Sequence, residues 1–142
     1  MCIRDRCEQT RFGFERLAAA GSLDIYQPDI AYCGGLTEFQ KIVAIASAAH
    51  ADVVPHCWGL KVNQAVAASA ISMLPDNPGR FEGRSVYLEM DQTEHPVRDS
   101  IFTQAHSIKD GKIHFNDSTG LGVEVDEATL LGFVVELNEN AQ

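Results

Sequence analysis

The sequence predicts an α/β fold: about three β/α units followed by a C-terminal extension. Two observations carry this. Stretches of helical apolar period alternate, from Thr10 to Met90, with apolar runs too brief to be helices. Two of those runs also stop at a polar residue, Leu23-Asp-Ile-Tyr-Gln-Pro at Asp29 and Asp52-Val-Val-Pro at His56, with one amphipathic helix between them. Consecutive strands of a parallel sheet are often neighbours, so Asp29 and His56 should stand side by side at one rim. A carboxylate beside an imidazole is the usual way to make a positioned base.

Thr10 to Ala20 reads as the first helix, with Phe14, Leu17 and Ala18 on one face and Gly21 as its stop. Leu23 to Gln27 is the first strand, and a Cys33-Gly-Gly-Leu turn follows. Thr37 to His50 is the clearest helix. Thr37 should cap it, and Phe39, Ile42, Val43, Ala46 and Ala49 form one stripe. Val53 to Pro55 is the second strand. Asn63 to Leu74 is apolar nearly all round, which predicts a buried helix, with Pro75 just beyond it. Val86 to Met90 is the third strand, reached through a loop over Asp76 to Arg84. Asp110-Gly111, between Ala105 to Ile108 and Ile113 to Phe115, is a hairpin signal. Ser118-Thr-Gly-Leu-Gly is a further turn, and Glu127 to Leu137 a terminal helix.

With 142 residues, 45% of them hydrophobic, the chain is long enough for one domain with a real core. A net charge of −9 argues against a nucleic-acid partner, which needs a basic face. No apolar run reaches membrane-spanning length and no signal peptide is evident, so the expectation is a cytoplasmic protein. Cysteines 2, 7, 33 and 57 form no Cys-x-x-Cys pair. A zinc site from Cys33, His56 and Cys57 is conceivable, but plain reduced thiols fit the spacing better. His50, His95, His106 and His114 have no partner logic and read as surface residues. The Gly34-Gly35 pair lacks the rest of a phosphate-binding fingerprint and reads as a tight turn.

Residues 1–6, Met-Cys-Ile-Arg-Asp-Arg, carry no periodicity and resemble translated adapter sequence. Residues 7–142 then read as the C-terminal fragment of a longer protein. Three β/α units do not close an eight-stranded barrel, which needs about 250 residues. They are either a small open sheet or the last part of a barrel.

From Cys7 to about Leu130 the chain resembles the C-terminal end of an enolase-superfamily enzyme. It is most similar to the mandelate racemase subgroup, and within that to acid-sugar dehydratases and galactarolactone cycloisomerases. The motifs are Asp24-Ile-Tyr-Gln-Pro-Asp-Ile, Cys33-Gly-Gly-Leu-Thr-Glu-Phe-Gln-Lys-Ile, Val54-Pro-His-Cys-Trp-Gly, Leu88-Glu-Met-Asp-Gln-Thr-Glu-His-Pro-Val-Arg and Gly120-Leu-Gly-Val-Glu-Val. They run in family order.

The resemblance implies the last units of an enolase-type barrel. It makes Asp29 and His56 the subgroup's acid–base dyad and makes Glu89 a contact to the substrate carboxylate or its enediolate. It also implies Mg²⁺ as cofactor, with most ligands on strands that would precede this chain. By family spacing the third ligand falls at Arg6, which cannot bind Mg²⁺. Glu8 is then the residue after the ligand turn, and the only candidate ligand left. Complete members usually form homo-oligomers and act on small sugar acids. Trp58 and Lys61 follow His56 and could meet the distal end of such a substrate, through a stacking face and an ammonium.

The shared chemistry is removal of a proton α to a carboxylate. The base must be neutral before transfer and tolerate becoming cationic, which suits histidine. A dehydratase then expels a β-hydroxyl, and a cycloisomerase expels a lactone carboxylate. Two other readings stay open: a racemase or epimerase of the same subgroup, and a non-catalytic half-barrel or binding module. The isolated fragment is expected to be inactive.

Overall fold

The computed structural model describes residues 7–74, 86–103, 106–115 and 117–134. The first helix, α1 (Thr10–Ala19), has no cap of its own: Gln9 supplies no side-chain bond. Glu38 does the work from a distance. Its Oε1 accepts the Arg11 backbone N–H at 2.9 Å, and its Oε2 pairs with the Arg11 guanidinium at 2.8 Å. One orphan donor at the helix start is thereby satisfied. Gly21, at φ 56°, closes the other end in the left-handed region as predicted.

Strands β1 (Ile25–Tyr26) and β2 (Asp52–Val53) pair in parallel, Ile25 with Asp52 and Tyr26 with Val53. The same register continues as a bridge from Asp29 to His56, where the His56 N–H donates to the Pro28 carbonyl at 3.2 Å. Between the two, Pro28 has no N–H to return to the ladder, so the regular strands are shorter than the extended runs. Alternation along the strands sends Tyr26 and Val53 toward the helices and puts Asp29 and His56 together on the other face.

Asp29 leads into a one-turn helix, α2 (Ile30–Cys33), where the sequence suggested only a turn. Gly34 at φ 113° and Gly35 at φ 82° then reverse the chain into α3 (Leu36–Ala48). Thr37 is not the cap of α3. The Gly35 carbonyl already accepts the Phe39 N–H at 2.9 Å, so the helix begins before Thr37. Gly35 adopts φ 82° and ψ −175°, a conformation open essentially to glycine alone. Gly35→Ala should therefore cost about 1–3 kcal/mol of stability, measurable as a lower urea midpoint.

Helix α4 (Lys61–Ile71) starts two residues before the predicted Asn63. None of its residues is exposed, as its apolar character predicted, but it ends at Ile71, short of the predicted Leu74, and Ser72 and Met73 beyond it are exposed. The core between the helices and the strands is built on Phe14, Tyr26, Phe39, Ile42, Val53 and Ala46. The Phe14 and Tyr26 rings lie 5.9 Å apart.

Residues 86–90 are not a strand. Among the described residues they have no ladder partner, and β character needs one whatever the local propensity. Leu88 packs against the core, and Val86 and Leu88 share one cleft with Ile108 and Ile113 of the hairpin of β3 (His106–Lys109) and β4 (Lys112–Phe115). The hairpin turn sits where predicted, with Asp110 at φ 52° and Gly111 at φ 70°, the mirror-image turn that suits strand twist. Helix α5 (Pro96–Ser100) was not anticipated, although Pro96 at its first position is a start signal. Helix α6 (Glu127–Leu131), capped by Asp126, ends at Gly132, short of the predicted Leu137. Residues 1–6, Pro75, the whole loop from Asp76 to Arg84, Ala105 and residues 135–137 lie outside the described residues.

Candidate active site

The parallel register brings Asp29 and His56 into contact. His56 Nδ1 lies 2.8 Å from Asp29 Oδ2, and the side chains are only 17% and 9% exposed. Asp29 Oδ1 accepts the Ala31 N–H at 2.8 Å, capping α2. Both carboxylate oxygens are therefore committed, and the carboxylate cannot swing away from the ring. A carboxylate only accepts, so Nδ1 donates, and in the neutral ring Nε2 then carries the lone pair. The pair opens on a cleft of about 240 Å³, whose walls include Trp58, Leu36, Gly35 and Val66. Asn63 Nδ2 donates to the Trp58 carbonyl at 3.3 Å and so ties the 57–60 loop to α4.

Cys33 and Cys57 are buried beside the dyad. Burial first, then the Asp29 charge, pushes the Cys33 thiol up to about 11 and the Cys57 thiol up to about 12. Both stay protonated at neutral pH and are poor ligands and nucleophiles. Cys33, His56 and Cys57 do not assemble into a zinc site; among the described residues no group of three or more potential ligands exists. Glu8 does not sit in an acidic cluster either. Its Oε1 accepts the Gln9 N–H at 3.1 Å and lies 3.9 Å from Arg16. The described residues thus do not provide an Mg²⁺ site by themselves.

Glu89 does not line the cleft. Its Oε2 is buried with no hydrogen-bond partner among the described residues, and its charge, after that of Asp29, also acts on the Cys57 thiol. Lys61 is not on the cleft with Trp58. As the first residue of α4 it lines a second cleft of about 350 Å³ with Gln64, Asp91, Arg98 and His106.

His106 is not a surface residue. It is 7% exposed, and its Nδ1 is buried without a partner among the described residues. Nothing in the local sequence marks it, because the cover comes from distant elements. His95 is also structural: its Nδ1 accepts the Arg98 N–H at 3.1 Å and caps α5.

Burial, with Lys61 adding to it, lowers the His106 pKa below its ordinary 6.5. The unfolded chain then binds the proton that the folded chain refuses, so stability should fall as pH drops below about 6.5. His106→Asn should flatten that first decline in urea midpoints between about pH 7.5 and 5.5. Four carboxylates act lower down. Glu38 is held below the usual range by the Arg11 N–H, Asp91 by the Thr93 hydroxyl, Asp99 by the Arg98 guanidinium and Asp126 by the Thr129 N–H. Their stabilisation is present above about pH 4 and is lost as pH falls further.

The family described as enolase C-terminal domain-like matches residues 3–129. The chain is 32% identical over 123 residues to the D-galactarolactone cycloisomerase of Agrobacterium fabrum, covering 87% of this chain and 32% of that protein. It is 30% identical over 135 residues to the D-galactonate dehydratase of Pectobacterium atrosepticum, covering 93% of this chain and 33% of that one. The crystal structure of the 3,6-anhydro-D-galactonate cycloisomerase from Zobellia galactanivorans superposes with a TM-score of 0.79 at 33% identity, over 92% of this chain and 35% of that one. The chain thus spans about a third of the length of these relatives. With the family match over most of its length, the chain belongs to the enolase C-terminal domain-like family, and its fold is the C-terminal part of an enolase-type β/α barrel.

Proposed function

We propose that the complete protein carrying this chain removes the proton α to the carboxylate of a sugar acid and then eliminates a β-leaving group. It would act as an acid-sugar dehydratase or a lactone cycloisomerase. The observation that supports this reading is the 2.8 Å contact between Asp29 Oδ2 and His56 Nδ1 at the mouth of a cleft. His56 Nε2 is the base. Asp29 fixes the ring and its tautomer and stabilises the imidazolium that forms, the division of labour found in catalytic triads. Trp58 offers an indole face on the cleft wall to the carbon skeleton of the substrate. The resemblance assigns Glu89 a contact with the substrate carboxylate or the enediolate, which it can make only as the neutral acid donating its proton, because two carboxylates both accept; its buried Oε2 has no other partner among the described residues.

Elimination is favoured over racemisation by the relatives, which carry the names cycloisomerase and dehydratase. The Mg²⁺ that the family resemblance implies would need ligands from outside the described residues. The free thiols at Cys7, Cys33 and Cys57 fit a reducing compartment such as the cytoplasm. Homo-oligomeric assembly rests on the resemblance alone. Incubating the complete protein with a panel of aldonic and aldaric acids and lactones should yield a keto acid, detected as its semicarbazone. No keto acid from any member of the panel would overturn the reading.

A further inference from the structure

We propose that the cleft shared by α4, the 91–99 segment and His106 is a second, non-catalytic binding site for an uncharged polyhydroxylated ligand of monosaccharide size. The inference is independent of the role given to the Asp29–His56 pair. The start of α4 stands between two clefts. Asn63, Val66 and Ala67 line the one at the dyad, whereas Lys61 and Gln64 line the other, of about 350 Å³. That volume is within the range of small-molecule sites.

The polar side chains of this second cleft fall into two groups. One group is mutually satisfied. Arg98 donates to Asp91 Oδ2 and to Asp99 Oδ1 at 2.8 Å each, and also to the Thr93 carbonyl. Asp91 Oδ1 accepts the Thr93 N–H at 2.8 Å and the Thr93 hydroxyl at 2.6 Å. The other group is buried without protein partners. Gln64 is only 4% exposed, and its amide makes no hydrogen bond among the described residues. His106 is buried nearly as deeply, with its Nδ1 unpartnered among the same residues. An orphaned lone pair is tolerated better than an orphaned N–H, so the ring proton belongs on Nε2. Lys61 makes no ion pair among the described residues, though its charge reaches both His106 and Asp99. Buried polar groups are normally hydrogen-bonded, so two such side chains on one cleft point to a ligand that pairs with them.

The charges around the cleft select the ligand. Lys61 and Arg98 are positive, and Asp91, Asp99 and the exposed Glu94 are negative. His106 is neutral, because burial and then Lys61 disfavour its protonation. An anion would gain Lys61 but face three carboxylates, and a cation would face an ammonium and a guanidinium. The unpaired groups are mixed as well. The ammonium and the Nε2–H only donate, whereas the amide both donates and accepts. Hydroxyl groups do both, so a neutral polyol satisfies this set without bringing a charge.

The test is isothermal titration of the complete protein, with D-glucose, D-galactose and D-xylose as neutral probes and sulfate and acetate as anionic ones. At least one sugar should bind with a Kd on the order of 1 mM. Gln64→Leu keeps the side-chain volume and removes the amide, and should weaken that sugar about tenfold, the scale of a lost hydrogen bond. His56→Asn should bind it as the wild type does. Should Gln64→Leu not fold, Lys61→Met takes its place with the same expectation, since Lys61 is partly exposed at the helix start. No heat from any sugar at about 10 mM would overturn the inference. Unchanged binding in the cleft variant would overturn it too. Loss of binding in His56→Asn would place the sugar at the dyad instead, and displacement of the sugar by sulfate or acetate would make the cleft an anion site; either result contradicts the proposal.

Discussion

His56→Asn in the complete protein should lower kcat by about 10²–10⁴-fold, the scale of a positioned general base, and leave folding intact. Asparagine can still donate to Asp29 Oδ2, so the contact that closes the strand ends survives. What disappears is the lone pair of Nε2, and an amide is no substitute for it as a base. The ring is 17% exposed at a cleft mouth, not packed in the core, so truncation leaves no large cavity. The check is kcat beside a thermal melt. Near-normal turnover in a folded variant would remove His56 from the mechanism.

The second large effect is on stability. Phe14→Ala should destabilise the fold by about 3–5 kcal/mol, the usual cost of deleting a fully buried aromatic ring. Phe14 is completely buried and packs on Tyr26 with ring centroids 5.9 Å apart. Its helix, α1, lies across α3, and Tyr26 belongs to the strand that delivers Asp29. The ring therefore supports the very segment that carries the dyad. Chemical denaturation gives the value; a loss below about 1 kcal/mol would show that the site collapses to fill the space.

The dyad was legible because it is a local pattern read twice. Each apolar run ends on one polar residue, and a constant parallel register does the rest. The α3 stripe and the Asp110-Gly111 turn were legible for the same reason: period and turn chemistry are local. The misses are non-local or backbone effects. Thr37 looked like a cap, but two glycines in the left-handed region set the helix start earlier. Helix α2 is one turn long, too short to show a period, and its signal was Asp29 itself serving as cap and dyad member. Val86 to Met90 has strand propensity, yet a strand exists only through its neighbour. Lys61 follows His56 closely in sequence, but α4 carries it to another cleft. His106 shares its cleft with Lys61 and Gln64 of α4, residues that no window of sequence around it contains.

The measurement that bears most directly on the central claim follows the α-hydrogen. A sugar acid deuterated at Cα is given to the complete protein, and the product is examined by mass spectrometry and proton NMR. Abstraction by His56 predicts that the label is lost to solvent as the keto acid forms, and that wild-type protein is slowed by the deuterium. A product that retains the label, as an internal hydride shift would leave it, would contradict proton abstraction and with it the role assigned to the Asp29–His56 pair.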